Sequence, residues 1–168
     1  MSDAWDWFCL VFWPRVRRGW RRRLLGMELR LCNLERCLPA GLSRVHPHAI
    51  GRLGERLAAL HLRRAGGRLL WRNYRCPDGG EIDLVFGEGR GLVFVEVKTR
   101  ARSGAIRPAL AVNRDKRRLV RKAAWHWHRR IGNPRIPLRF DIVELVLQEG
   151  SPPRVQRLRD AFGWNEAQ

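Results

Sequence analysis

The chain has 168 residues, of which 34 are basic and 16 acidic, and its formal net charge at pH 7 is +18. This length allows one domain with a real hydrophobic core and a modest extension. The charge favours a polyanionic partner, nucleic acid first and an anionic membrane second, although an arginine-rich codon bias would give the same excess.

Residues 1–47 differ in composition from the rest, and we predict a basic, tryptophan-rich extension that is poorly ordered. Its apolar run, residues 5–13, is far shorter than the roughly 20 residues of a membrane span. Acidic residues precede this run and arginines follow it, which is the reverse of a signal peptide. The arginines at 15–23 could still lie on anionic lipid, so a membrane-surface protein is one alternative.

The four cysteines bear on the cellular compartment. They show no paired metal spacing and no secretory context, which favours unpaired thiols in a reducing cytosol. A zinc site at Cys32 and Cys37, with His46 and His48 as distant ligands, is the other possibility. We predict a cytoplasmic protein without a transmembrane segment.

From residue 48 to residue 168 the hydrophobic periodicity predicts one α/β domain. The expected elements are a helix over 50–66, strands over 69–74, 80–86 and 92–100, a helix over 115–130, and strands over 138–147 and 155–158. The strand–helix–strand passage implies a right-handed crossover and a parallel strand pair. The sequence therefore predicts a mixed β-sheet flanked by helices.

The residues suited to catalysis concentrate in a predicted hairpin between residues 80 and 100. Period-2 alternation places Glu81 and Asp83 on one face of its first strand. It places Glu96 and Lys98 on one face of its second strand. The apolar side chains then point to the opposite faces, namely Ile82 and Leu84 in the first strand and Val93, Val95 and Val97 in the second.

The register of this hairpin decides its chemistry. If Phe86 lies opposite Val93, Asp83 lies opposite Glu96, and Glu81 lies opposite the lysine of the second strand. Two facing carboxylates repel each other unless a divalent cation lies between them. The lysine can orient or deprotonate a water, or balance negative charge on a phosphate.

Two other regions carry residues that could serve such a site. Glu55 lies on the first helix beside small apolar residues, although a surface ion pair with a neighbouring arginine is the simpler interpretation. Residues 101–135 contain 11 basic residues and one acidic residue, which suits a phosphate backbone. The aromatic and histidine side chains at 125–128 could stack on unpaired bases. Core packing of Trp127 with exposed histidines is the alternative.

Five stretches together match a known family. They are Gly51–Glu55, Arg72–Tyr74, Gly80–Leu84, Val93–Arg100 and Arg139–Val143. In this order they resemble the YraN-like family of bacterial proteins, over about residues 48–163. That family is similar to the restriction-endonuclease-like superfamily, with its Asp…Glu-x-Lys signature, and to archaeal Holliday-junction resolvases.

The resemblance implies an αβββαβ restriction-endonuclease-like core and a Mg²⁺- or Mn²⁺-dependent endonuclease acting on branched or structured DNA rather than RNA. The implied catalytic residues are Asp83, Glu96, Lys98 and Glu55, and the three acids among them are the implied metal ligands. Glu81 is expected to lie next to these ligands without contacting the metal itself, and to pair with Lys98. The phosphate-binding residues are expected to be Arg100, Arg102, Arg107 and Lys116. A homodimer follows by analogy with resolvases.

A protein that retains this scaffold without chemistry is the competing hypothesis. In that case the acids and the lysine form an ordinary ion-paired face of the hairpin, and each exposed pair contributes at most about 1 kcal/mol. Such a protein would bind nucleic acid and would not bind divalent metal.

Overall fold

The computed structural model describes residues 38, 41, 44–101 and 113–164. These residues form helices α1 (Pro47–Arg64) and α2 (Arg114–Arg130) and strands β1 (Arg68–Arg75), β2 (Glu81–Glu88), β3 (Gly91–Ala101), β4 (Leu138–Leu147) and β5 (Arg154–Phe162). The predicted order of elements is confirmed. The last strand is longer than predicted, because it continues to Phe162.

The five strands form one sheet in the order β1-β2-β3-β4-β5. Only β3 and β4 are parallel, with Leu92 beside Leu138 and Ala101 beside Leu147, and the other neighbours are antiparallel. The passage from β3 through α2 to β4 is the crossover that the sequence predicted. The fold is therefore α/β with a mixed sheet, and it is consistent with a restriction-endonuclease-like core.

Within the described residues, each face of the sheet carries one helix and one hydrophobic core. The α1-side core includes Leu57, Leu84, Phe86, Val93, Val95 and Val143. The α2-side core includes Val85, Phe94, Val120, Trp127, Phe140 and Ile142. Because side chains alternate along β3 and β4, these strands contribute to both cores and bury a near-continuous apolar run.

The hairpin of β2 and β3 has the predicted register. Phe86 lies opposite Val93, and Glu88 lies opposite Gly91, so the turn consists of two residues. The first of these, Gly89, has φ +58°, a conformation that glycine adopts without steric cost. This short turn holds the two strands in the register on which the site depends.

The predicted alternation in β2 is wrong on one side of Asp83. Ile82 and Leu84 were expected to share a face, but Ile82 belongs to the α2-side core and Leu84 to the α1-side core. The reversal coincides with Asn73 of the neighbouring strand β1, which has φ +50°. Asn73 lies between Tyr74, which pairs with Ile82, and the residue that pairs with Leu84, and the register of the two strands does not shift there. The register shift of β1 lies closer to its start.

Leu38 falls within the residues assigned above to the extension. It is 1% exposed, packs in the α1-side core, and exchanges backbone hydrogen bonds with Ser151 and Gly150. Residues 1–37 lie outside the described residues, so the poorly ordered extension stays a prediction. Neither helix of the described chain is long and apolar enough to cross a membrane.

Candidate active site

Asp83 lies where the β2–β3 ladder ends. The last paired residues are Leu84 and Val95, and beyond them the Asp83 Oδ2 accepts a hydrogen bond of 2.7 Å from the backbone N–H of Val97. Burial, and then the negative charge of Glu96, raise the pKa of Asp83 to about 7, against the opposing effect of that hydrogen bond. Glu96 is thus close enough to disfavour ionisation of Asp83.

Glu96 is the buried member of the carboxylate pair, with 4% of its surface exposed. Its Oε1 accepts a hydrogen bond of 3.0 Å from Lys98 Nζ, and Lys98 itself keeps a third of its side chain exposed. Among the described residues, no group donates a hydrogen bond to Glu96 Oε2. A buried carboxylate oxygen without such a bond is costly, so it is available to a cation or a water.

Lys116 approaches the same carboxylate from α2. Its Nζ lies 3.5 Å from Glu96 Oε2, too far for a strong hydrogen bond, and its backbone N–H is bound by the capping side chain of Asn113. Burial lowers the pKa of Lys116, but the carboxylates of Glu96, Asp83 and Glu81 outweigh this effect and hold it above its ordinary value. Lys116 is thus a cation placed at the acidic pair in the described structure, and its contact with phosphate stays a prediction.

Glu81 does not lie opposite Lys98, contrary to the predicted register. The paired residues of β2 and β3 end at Leu84 and Val95, so the ladder does not reach Glu81. Its carboxylate instead lies 3.4 Å from Lys116 Nζ and is 49% exposed. Glu81 therefore supports the lysine of α2 rather than the lysine of β3.

Glu55 is held by Asn73, a residue to which no role was assigned from the sequence. Its Oε2 accepts a hydrogen bond of 2.6 Å from Asn73 Nδ2, and its charge contributes to the raised pKa of Asp83. Asparagine is uncommon within strands and tolerates positive φ, so its place in β1 was a usable signal. Gly54 brings α1 close to β3, because a Cβ there would lie 1.7 Å from Thr99 Oγ1. Glu55 is thereby directed toward the site from the α1 side.

The rim of the site includes a further acid. Arg100 Nε lies 3.1 Å from Glu144 Oε1, and Glu144, only 8% exposed, stands beside Lys98 in the parallel ladder. The sequence signal for Glu144 was its charge within the apolar run of β4. The other two predicted phosphate-binding arginines, Arg102 and Arg107, lie outside the described residues.

Asp141, which belongs to the family pattern, lies outside this site. It is fully buried and accepts hydrogen bonds from Arg139 Nε at 3.0 Å, Arg157 Nε at 2.8 Å and the backbone of Asp160. Glu88, the last residue of β2, binds the same two arginines. Asp141 therefore joins β2, β4 and β5 through a buried ion-pair network.

The aromatic stretch of α2 divides between core and surface. Trp127 is 2% exposed and packs in the α2-side core, as the alternative interpretation had it. His128 was expected to be exposed, but it is buried and hydrogen-bonded to the carbonyl of Pro134. Trp125 is 52% exposed, and His126 is hydrogen-bonded to the Tyr74 hydroxyl across the α2–β1 contact.

The donor set at the acidic pair fits a hard divalent cation. Asp83 and Glu96 offer carboxylate oxygens, and Mg²⁺ is typically held by one or two carboxylates together with waters and substrate phosphates. Within the described residues, no group of three His, Cys, Asp or Glu side chains could hold a metal ion by itself. The participation of Glu55 as a third ligand stays a prediction.

The fold and these side chains define an α/β protein whose sheet carries an acid–acid–lysine cluster on adjacent strands. A family model described as "Uncharacterised protein family UPF0102" matches residues 54–145, more than half of the chain. The chain therefore belongs to the UPF0102 family, as its YraN-like motifs indicated. All of the acids and lysines of the site lie within the matched segment.

Individual relatives support the same assignment. A UPF0102 protein of Geobacter sulfurreducens is 41% identical over 125 residues, which cover 74% of this chain and 97% of the relative. A UPF0102 protein of Rhodococcus jostii is 44% identical over 117 residues, covering 70% of this chain and 98% of the relative. A UPF0102 protein of Solibacter usitatus is 44% identical over 120 residues, covering 71% of this chain and 89% of the relative.

Proposed function

We propose that this protein is a metal-dependent endonuclease that hydrolyses phosphodiester bonds in branched or otherwise structured DNA. The observation that supports the proposal is the buried Oε2 of Glu96, which lacks a hydrogen bond among the described residues and lies beside Asp83. A buried carboxylate oxygen without a hydrogen bond, with a second buried acid beside it, is destabilising, so its presence favours a function for the pair. The net charge of +18 suits a nucleic-acid partner.

Each side chain has a distinct part in the proposed chemistry. Asp83 and Glu96 would hold a Mg²⁺ or Mn²⁺ ion, which when bound neutralises charge and lowers the pKa of a water. Lys98, fixed by Glu96 and one-third exposed, orients a nucleophilic water or donates to the scissile phosphate. Lys116 and Arg100 would contact phosphates adjacent to the cleaved bond.

A cleavage assay tests this proposal. Branched, single-stranded and duplex DNA of matched sequence are incubated with the protein in Mg²⁺ and in EDTA. We expect nicking of the branched substrate in Mg²⁺ only. Asp83→Ala, Glu96→Ala and Lys98→Ala should each abolish nicking while DNA binding is retained. Nicking that persists in all three variants would refute the mechanism.

An inactive nucleic-acid-binding protein on the same scaffold remains the second candidate. The observation that favours it is the charge balance of the site, since Glu96 already contacts the ammonium groups of both Lys98 and Lys116. Such a site needs no metal for neutrality. Under this alternative the substrates above are bound, and none is cut under any metal condition.

A further inference from the structure

A second site lies on α2, away from the acidic pair. A pocket of about 560 Å³ opens between this helix and the β1–β2 turn. It is lined by Cys76, Asp78, Lys122, Trp125, His126, Arg129 and Asn133. Four of these residues, at positions 122, 125, 126 and 129, recur at intervals of three or four and so occupy one face of the helix.

The pocket is built rather than merely a surface depression. The buried Cys76 forms part of its lining, and His126 is fixed by its hydrogen bond with Tyr74. Lys122 Nζ donates a hydrogen bond to the backbone carbonyl of Asp78, which ties the ammonium to the β1–β2 turn. These contacts give the pocket a defined shape before any ligand enters.

The exposed groups of the pocket combine an aromatic surface with positive charge. Trp125 leaves about half of its surface in solvent, although its ring also touches Trp164 edge-on. Arg129 is exposed, and within the described chain no acidic side chain forms an ion pair with it. Lys122 adds a second cation, against the single carboxylate of Asp78. An indole face beside two cations matches a nucleobase with its phosphate.

The pocket and Lys116 lie on opposite sides of α2. Trp125 follows Lys116 by nine residues, which is two and a half turns at about 3.6 residues per turn, so the two side chains leave the helix in opposite directions. The helix also carries eight basic residues against one acidic residue, Asp115. That charge suits a strand with several phosphates rather than a single nucleotide.

We propose that this pocket holds an unpaired nucleotide of the bound nucleic acid, with its base stacked on Trp125 and its phosphate bound by Arg129 and Lys122. The inference rests on the proposed binding of nucleic acid, and it narrows the substrate to one with a single-stranded segment. A nucleotide in a strand and a free mononucleotide share this chemistry. The strand is the occupant proposed here, because the eight basic residues of α2 offer more positive charge than one mononucleotide phosphate needs.

Fluorescence anisotropy in EDTA tests the proposal without catalysis. The probes are a labelled 12-residue oligothymidine and a labelled duplex of 12 base pairs. We expect Trp125→Leu to weaken oligothymidine binding roughly tenfold or more, and Trp125→Phe to retain most of it. Arg129→Ala should weaken it more than Arg130→Ala, a control that removes one charge from the same helical turn outside the pocket. Duplex affinity should change by less than about twofold in the Trp125 variants.

Several results would overturn the inference. The first is an unchanged affinity of Trp125→Leu for oligothymidine. The second is a loss of duplex affinity in that variant equal to its loss of oligothymidine affinity. The third is competition by thymidine monophosphate with the same affinity as the oligonucleotide. If Trp125→Leu fails to fold by circular dichroism, Arg129→Glu against Arg130→Glu decides the question. Binding that depends on the pocket without Mg²⁺-dependent cleavage would refute the nuclease proposal alone. Mg²⁺-dependent cleavage, together with binding that does not change when Trp125 or Arg129 is replaced, would refute this inference alone.

Discussion

At the scale of single residues, Asp83 links the site to the stability of the protein. Burial and the neighbouring Glu96 raise its pKa from 3.8 to about 7. The unfolded chain releases this proton near pH 4 and the folded protein near pH 7, so the folded state binds more protons in between. Stability of the metal-free protein therefore falls as pH rises through this window.

Replacing Asp83 by a residue that does not ionise should remove this dependence of stability on pH. We expect Asp83→Asn to raise the thermal unfolding midpoint over wild type by roughly 5 °C or more at pH 8, and by clearly less at pH 5. Calorimetric unfolding in EDTA measures both. An equal difference at the two pH values would mean that Asp83 ionises in the folded protein as it does in the unfolded chain.

Lys116 is the other residue whose role can be isolated. Because its ammonium lies 3.5 Å from Glu96 Oε2, it competes with any cation for that oxygen. We expect Lys116→Met to tighten Mn²⁺ binding roughly fivefold at pH 8, the equivalent of about 1 kcal/mol. Lys122→Met is the matched control, because Lys122 lies on the same helix but donates its hydrogen bond to the Asp78 carbonyl. Weaker Mn²⁺ binding in Lys116→Met would show that this lysine assists the metal instead.

At the scale of elements, the approach of α1 to β3 brings Glu55 toward the site. The approach depends on Gly54, because the Thr99 side chain occupies the space that a Cβ would need. A glycine in a helix costs stability relative to alanine, so this residue is explained by packing rather than by helix formation. Gly80 likewise allows close packing on the other face of the sheet, where a Cβ would lie 2.3 Å from the Leu119 carbonyl oxygen of α2.

Two glycines of the same helix provide a matched test of this contact. Gly54→Ala should destabilise the protein by about 1–3 kcal/mol through overpacking against Thr99. Gly51→Ala, where a Cβ meets nothing within 4 Å, should be neutral or stabilising by up to about 1 kcal/mol. Urea unfolding of both variants measures the difference. Similar stabilities would place α1 farther from β3 than the structure has it.

The ion-pair network of Asp141 joins the three strands β2, β4 and β5. Asp141→Asn keeps the shape of the side chain but leaves Arg139 and Arg157 facing a neutral group. Removing one partner of a buried pair costs about 3–5 kcal/mol, so we expect a loss of this order in urea unfolding. The exposed Asp78→Asn should change stability by less than about 0.5 kcal/mol. Intact stability in Asp141→Asn would show that the network contributes specificity rather than energy.

At the scale of the whole molecule, local periodicity was enough to predict the order of the elements and the parallel crossover. The sequence left the pairing of Phe86 with Val93 as a condition, and the structure has that pairing. The reversal between Ile82 and Leu84 was not predicted, because alternation describes one strand and the reversal lies beside the left-handed Asn73 of the neighbouring strand.

The composition of the site was only partly predictable for a related reason. Asp83, Glu96 and Lys98 come from adjacent strands, so their proximity follows from strand pairing. The contacts of Lys116 with Glu96 and of Asn73 with Glu55 depend on how each helix packs on the sheet, and spacing within the sequence does not specify this.

The most direct test of the acidic pair as a metal centre is a calorimetric titration with Mn²⁺ at pH 8, in the absence of nucleic acid. Wild type is expected to bind the ion in the millimolar range or more tightly, as two carboxylate ligands allow. Asp83→Asn and Glu96→Gln should lose this binding, and Asp78→Asn should keep it. Absence of binding to wild type at millimolar Mn²⁺, or equal binding to all four proteins, would contradict the account.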